Sequence, residues 1–253
     1  MISAGDCAVL VAAGVLAGIV GTAGGITSLI SYPALLAIGI PALHANIANK
    51  IALVATGPGS ALASQPELEG RLKWLLHWVP VTAAGSIAGT ALLLLTPAGM
   101  FARVVPALVA VGSLALLFEP RLSALRDRQG PGASPLVLAG GLFILTLYNG
   151  YFGAGSGVMT LALLLMEAER EITVANALKN MLLGVATVVS AVVLVMVSSA
   201  IDWPAVGALA AGAFVGGTVG PRVARWLPRE LLRVLVAAMG IGLAIQLLVS
   251  NGR

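Results

Sequence analysis

The chain has 253 residues, of which 59% are hydrophobic and 9% are charged, and its formal net charge is +4. A soluble domain of this length carries about 25% charged residues, so the composition excludes one and predicts a helical membrane protein that crosses the bilayer several times. The alternating pattern of a membrane β-barrel is absent from the sequence. Most basic residues fall in predicted loops of a membrane protein, so their charge does not indicate a nucleic-acid partner.

The apolar runs fall into two length classes, because a helix that crosses the hydrocarbon layer needs about 20 residues. Six runs satisfy this requirement: 47–64, 75–96, 98–118, 180–200, 203–220 and 231–250. Four runs are shorter: 7–20, 24–40, 135–149 and 154–166. The short runs form two neighbouring pairs, and each pair meets at a glycine cluster.

The two glycine clusters share a spacing. Each contains the pattern G-x2-G-x3-G, which begins at Gly18 and again at Gly150, an offset of 132 residues. Further along, ANIANK at 45–50 corresponds to ANALKN at 175–180, an offset of 130. A G-x3-G pair at position 85 then corresponds to one at position 212, an offset of 127. Three matches in the same order predict a duplicated unit.

The distribution of basic residues predicts the orientation of the chain. One set of predicted loops holds most of them: Arg71, Lys73, Arg121, Arg126, Arg128, Arg170, Arg222, Arg225 and Arg229. The positive-inside rule makes this side cytoplasmic and places both termini outside. The second half then begins on the opposite side from the first, so the repeat is inverted.

The predicted fold class is therefore an all-α polytopic membrane protein with two inverted-topology repeats. Each repeat contains a glycine-broken short helical pair and three transmembrane helices. The first membrane repeat covers residues 1–118, a cytoplasmic linker covers 119–134, and the second membrane repeat covers 135–253. The short pairs fit either re-entrant or fully spanning helices.

The glycine clusters are candidate binding sites because they interrupt the apolar runs. Glycine tolerates the backbone angles of a break, and a break at membrane depth must be buried in protein or line a water-filled cavity. Inverted-repeat transporters bind substrates at such breaks, where helix N-termini offer N–H groups to anions. Close helix packing is the alternative explanation, and we favour it for the two G-x3-G pairs.

The charged residues indicate an anionic substrate. All ten acidic residues lie in predicted loops or at segment ends, whereas Lys50 and Lys179 lie within apolar segments. A lysine at membrane depth costs about 2.5–3.5 kcal/mol and generally has a function, although snorkelling toward the interface is the alternative. The predicted substrate-binding residues are Gly21, Thr22, Ala23, Gly24, Gly25, Ser28, Asn46, Asn49, Lys50, Gly153, Ala154, Gly155, Ser156, Gly157, Thr160, Asn176, Lys179 and Asn180.

Other classes of protein find less support in the sequence. The single cysteine, Cys7, excludes an internal disulfide, and neither His44 nor His77 lies in a catalytic motif. We therefore predict no enzymatic activity, no cofactor and no metal site. A structural membrane subunit and a selective anion channel remain alternatives. Because no carboxylate lies at membrane depth, we predict potential-driven transport of the anion, with an ion-coupled carrier as the alternative.

The sequence resembles the TauE/SafE family of sulfite and sulfonate permeases. The resemblance rests on the two glycine-broken pairs, on Pro33 and Gly39 after the first of them, and on the Ala-Asn-rich start of the third segment. It implies transport, often export, of small sulfur-containing anions such as sulfite, sulfonates or sulfoacetate-like compounds across the bacterial cytoplasmic (inner) membrane. A carboxylate permease is the alternative within this class. The expected partners are a small anionic substrate, membrane lipid and a second copy of the chain in a homodimer.

Overall fold

The computed structural model describes residues 2–125, 134–199 and 201–223, together with positions 238, 241, 242, 244 and 245. These residues form helices and no strand, which confirms the all-α prediction. The α-helices are α1 Ala4–Gly24, α2 Ser28–Ala37, α3 Ala42–Leu53, α4 Thr56–Ala63, α5 Leu72–Leu95, α6 Ala98–Leu125, α7 Pro135–Tyr151, α8 Ser156–Glu167, α9 Ile172–Val197 and α10 Trp203–Val223. A single 3-10 turn, Pro66–Leu68, precedes α5.

Five of these helices contain a stretch long and apolar enough to cross a membrane: Ala4–Thr22, Leu72–Leu95, Ala98–Ala115, Ile172–Val197 and Trp203–Gly220. Helix α6 continues to Leu125, into the range predicted as the linker between the halves. The apolar run predicted at 231–250 lies almost entirely outside the described residues.

The first broken pair differs from the prediction in the length of its first helix. The run expected to be short, 7–20, belongs to the 21-residue helix α1, because Ser3 and Asp6 form a capping box that starts the helix earlier. Helix α1 ends where Gly25 adopts a left-handed φ of 73° and its N–H binds the Gly21 carbonyl at 2.7 Å. Helix α2 has only 10 residues and extends about 15 Å.

The second broken pair consists of two short helices, as predicted. Helix α7 has 17 residues and α8 has 12. Between them Gly153 and Gly155 have φ angles of 93° and 76°, which favour glycine. The Tyr148 hydroxyl donates a hydrogen bond of 2.7 Å to the Ala154 carbonyl and so fixes this turn against α7.

The sequence analysis missed a third break, since the run 47–64 was predicted as one helix. It is divided into α3 and α4 at Val54 and Ala55. Pro58 follows, and a proline has no N–H to bond the carbonyl four residues earlier, that of Val54. The chain tightens there: the N–H groups of Val54 and Ala55 bind carbonyls three residues back at 3.3 and 3.1 Å. Helix α9, which occupies the corresponding place in the second half, contains no proline and is continuous.

The two most extensive helix contacts are between α1 and α10 and between α5 and α7. Both pairs are parallel, because contacts advance in the same direction on each helix. A Cβ on Gly14 would be 2.8 Å from the amide nitrogen of Ala213, and one on Gly18 would be 2.7 Å from that of Gly217. Such close backbone contact is what small residues permit between membrane helices.

One end of the bundle gathers several of the loops predicted as cytoplasmic. Arg71, just before α5, forms an ion pair of 2.5 Å with Glu169, which lies between α8 and α9. The amide of Ser134, just before α7, donates to the Glu167 carboxylate at 3.3 Å. Helices α5, α7 and α9 therefore begin at the same end of the bundle.

Candidate functional site

A cavity of about 110 Å³ lies where the two glycine breaks meet the break between α3 and α4. Its walls come from six α-helices (α1 to α4, α8 and α9) and from the end of α7. It is lined by Gly21, Thr22, Gly25, Thr27, Ser28, Lys50, Leu53, Val54, Thr56, Gly57, Ser60, Asn149, Phe152, Gly153, Ser156, Gly157, Lys179, Asn180, Leu183, Gly184, Thr187 and Ser190.

Most of the predicted site residues line this cavity. They are Gly21, Thr22, Gly25, Ser28, Lys50, Gly153, Ser156, Gly157, Lys179 and Asn180. Six others do not belong to its wall: Asn46, Asn49, Ala154, Gly155, Thr160 and Asn176. Ala23 and Gly24 belong to the last turn of α1, and their surroundings are not described.

The two glycine breaks touch at Gly25 and Gly157. A Cβ added to Gly25 would be 2.6 Å from the Cα of Gly157, and one added to Gly157 would overlap the backbone of Gly25. Only a pair of glycines allows the two backbones to come this close. The glycines that mark the breaks in the sequence therefore also allow the two breaks to touch.

Helices α2 and α8 both begin at the cavity. Each starts with a serine, Ser28 or Ser156, and neither has a side-chain capping hydrogen bond. The first N–H groups of a helix have no partner within that helix, and the N-terminal end carries a partial positive charge. Two uncapped N-termini at one cavity favour an anion.

Two lysines add basic side chains to the cavity. Lys50 and Lys179 both line it and are only 5% and 1% exposed, so neither reaches the surface as a snorkelling side chain would. The Lys50 ammonium donates to the Asn149 carbonyl, and the Lys179 ammonium donates to the Asn176 side-chain oxygen at 2.7 Å. Among the described residues, no aspartate or glutamate lines the cavity.

The asparagines of the repeated ANIANK and ANALKN motifs make contacts that favour a positioning role. The Asn46 amide donates to the Tyr151 carbonyl at 2.9 Å, at the end of α7. The amides of Asn176 and Asn180 both donate to the Thr22 carbonyl at 3.3 Å, near the end of α1. The carbonyls at a helix end need partners at membrane depth, so these asparagines support the broken helices. Contact with substrate stays a prediction for them.

The sequence analysis missed the cavity residues of α4 and most of those of α9. Ser60 is 4% exposed, lines the cavity, and has a hydroxyl without a hydrogen-bond partner. On α9 the missed residues Gly184, Thr187 and Ser190 recur every three positions, the spacing of one helix face. That spacing, together with the Gly-Pro-Gly sequence at 57–59, was the available signal.

A helical bundle whose broken helices surround a buried polar cavity defines a membrane transporter, and comparison with known proteins agrees. The family described as "Sulfite exporter TauE/SafE" matches residues 7–247, and the chain belongs to this family. The resemblance inferred from the glycine motifs is thereby confirmed.

The chain is also similar to curated membrane proteins over nearly its whole length. It is 27% identical over 244 residues to "Probable membrane transporter protein ORF9" of Sinorhizobium sp., covering 95% of this chain and 92% of that protein. It is 25% identical over 257 residues to a "Probable membrane transporter protein" of Haemophilus influenzae, covering 97% and 95%. It is 25% identical over 244 residues to "Probable membrane transporter protein YfcA" of Escherichia coli K12, covering 92% and 86%. No solved structure gives a significant match.

Proposed function

We propose that this transporter moves small anions, chiefly sulfur-containing ones such as sulfite and short sulfonates, out of the cell across the bacterial inner membrane. The observation that carries the proposal is the pair of buried lysines, Lys50 and Lys179, in a cavity without a described carboxylate. The uncapped N-termini of α2 and α8 add partial positive charge to the same cavity.

The size of the cavity favours a substrate of few atoms. Its volume of about 110 Å³ is smaller than the cavity of about 150 Å³ that accommodates benzene in another protein. An inorganic oxyanion or a two-carbon acid satisfies this limit. The preference for sulfur rests on the family rather than on the cavity, so a short carboxylate is the alternative substrate.

We also propose that the chain consists of two inverted repeats, and the glycine contacts support this. In the α1–α10 pair, a Cβ on Gly18 would be 2.7 Å from the carbonyl oxygen of Ala213. In the α5–α7 pair, a Cβ on Gly150 would collide with the carbonyl of Ser86. The glycines differ by 132 positions and their partners by 127, which are the two offsets found in the sequence.

The glycines of the partner helices, α10 and α5, make contacts that show the same two offsets. A Cβ on Gly212 would collide with the carbonyl of Val11, and one on Gly85 would be 2.5 Å from that of Phe143. These glycine contacts of the two helix pairs correspond to each other and so support the proposed duplication.

The direction of the helices supports the inversion. Helices α7 and α9 begin at the end of the bundle that holds the Arg71–Glu169 ion pair. Helix α10 follows α9 and begins at the opposite end, and α1 runs parallel to α10. The first broken helices of the two halves, α1 and α7, thus run in opposite directions.

Reporter fusions test this topology. We expect a reporter placed after Gly70, beside the Arg71 ion pair, to be cytoplasmic, and one placed between Gly39 and Pro41 to be outside. Green fluorescent protein, which fluoresces only inside, and alkaline phosphatase, which is active only outside, give opposite readings at each point. The same two reporters, each fused within residues 119–133, are expected to report a cytoplasmic location. Finding that segment outside would overturn the inverted repeat.

Transport by purified protein in liposomes tests the function. We expect sulfite efflux to accelerate when a potassium diffusion potential makes the liposome interior negative, because each charge moved through 100 mV gains about 2.3 kcal/mol. That energy corresponds to a ratio of about fifty-fold between the concentrations of the anion on the two sides of the membrane. Failure to move sulfite, short sulfonates or short carboxylates would refute anion transport. Dependence on a proton or sodium gradient without a response to voltage would instead establish a coupled carrier.

A further inference from the structure

Gly184 is a cavity glycine that the fold itself does not require. The other glycines of the cavity wall have structural reasons: Gly25 and Gly153 have positive φ angles, and a Cβ on Gly21 or Gly157 would collide with neighbouring atoms. Gly57 directly precedes Pro58, where a side chain would be crowded in a helical conformation.

None of these three reasons applies to Gly184. It lies in the interior of α9, its φ is not positive, and a Cβ added there would have no neighbouring atom within 4 Å. A glycine inside a helix destabilises it by about 0.5–1 kcal/mol relative to alanine. The space beside Gly184 belongs to the cavity, so the absent side chain leaves the cavity wider at this point.

Beyond Lys179, the cavity residues of α9 and those of α4 are uncharged, and several of them are polar. Gly184 lies five residues beyond Lys179, which is about 7.5 Å along the axis of α9. Helix α4 packs against α9 and contributes Ser60, whose buried hydroxyl has no hydrogen-bond partner. The Thr187 hydroxyl already donates to the Leu183 carbonyl at 2.8 Å. A buried hydroxyl without a partner is costly, so Ser60 is suited to a ligand that supplies a hydrogen bond.

We propose that the space between α4 and α9 is a second subsite of the proposed anion site, which takes an uncharged hydrogen-bonding substituent of the transported anion. Gly184 provides the room for the substituent, and the Ser60 hydroxyl provides its hydrogen bond. The preferred substrates are then two-carbon organic acids with a hydroxyl group at the end remote from the acid group. This inference rests on the proposed function, since the acid group must lie near Lys50 and Lys179.

The variant Gly184→Ala tests the subsite. The probes are sulfite, ethanesulfonate and 2-hydroxyethanesulfonate, each measured with the full chain in liposomes. We expect Gly184→Ala to lower the transport of 2-hydroxyethanesulfonate relative to sulfite by about 10-fold to 200-fold, the discrimination that one methylene group produces in a binding pocket. The substitution favours the helix, so the protein is expected to fold. Gly140→Ala is the matched control, because Gly140 is exposed on α7, has open space at its Cβ, and does not line the cavity.

A second variant tests the hydrogen bond of the subsite separately from the room that Gly184 provides. We expect Ser60→Ala to lower the transport of 2-hydroxyethanesulfonate relative to that of ethanesulfonate, which lacks the hydroxyl group. An unaltered substrate ratio in Gly184→Ala, or a wild-type protein that moves sulfite alone, would overturn the subsite. If the wild-type protein moves none of the three probes, the proposed function itself fails for these anions, and the subsite fails with it.

Discussion

Replacing Lys179 with glutamine is expected to lower anion transport by about 1,000-fold. An ammonium and an anion about 4 Å apart attract each other by about 4 kcal/mol at an effective dielectric constant of about 20. That energy corresponds to about three orders of magnitude in binding. Glutamine can still donate a hydrogen bond to Asn176, the present partner of Lys179, so the variant removes the charge and keeps a donor. Initial rates of sulfite transport in liposomes, compared at equal amounts of folded protein, measure the effect.

Lys50→Gln is expected to have a similar effect, because Lys50 lines the same cavity and is also buried. The matched control is Lys73→Gln. Lys73 is the remaining lysine of the chain, and it is exposed in the first turn of α5. If Lys179→Gln transported sulfite as fast as Lys73→Gln does, the cavity lysines would have no role in anion binding.

The second large effect is expected at the contact between the two breaks. Valine at Gly157 would force its side chain into the backbone of Gly25, and the two breaks would have to separate. Overpacking of this kind costs about 1–3 kcal/mol when side chains can yield, and backbone atoms yield less. We therefore expect Gly157→Val to abolish transport and to lower the melting temperature, measured by thermal unfolding in detergent.

Gly140→Val is the control for the effect of a β-branched residue in a helix, since a Cβ at Gly140 has open space around it. Gly25→Ala tests the same contact from the other break. Its effect includes both the collision with Gly157 and the strain of an alanine at a positive φ of 73°. Normal transport and an unchanged melting temperature in Gly157→Val would show that the breaks do not depend on their contact.

The sequence predicted the parts of the site that depend on unusual residue types. Glycines at repeated spacing marked the breaks, because a positive φ and a close backbone approach both require glycine there, as at Gly25 and Gly157. Lysines within apolar runs were recognisable because a charge at membrane depth is rare. Few residue types satisfy either requirement, so the breaks and the cavity lysines could be recognised from the sequence.

Other parts of the site depend on which neighbour a common residue meets, and the sequence does not show the neighbour. An asparagine amide serves a substrate and a helix-end carbonyl equally well, so the contact of Asn176 with Thr22 could not be predicted from the sequence. Ser60 and Ser190 lie in apolar runs where a serine hydroxyl can bond its own helix. The break at Val54 was missed because the sequence analysis treated 47–64 as one apolar run, despite the Gly-Pro-Gly sequence at 57–59.

The hydrogen bonds at the ends of α1 and α7 are reciprocal between the two halves. Asn46 and Lys50 from the first half hold carbonyls of α7, while Asn176 and Asn180 from the second half hold the Thr22 carbonyl of α1. Neither half completes its own break, and a carbonyl left unpaired in hydrocarbon costs several kcal/mol. Under the proposed inverted duplication, a gene for one half alone would need two copies of its product, inserted in opposite orientations, to satisfy both breaks. We expect fragments cut between the halves of the present chain to be stable only together.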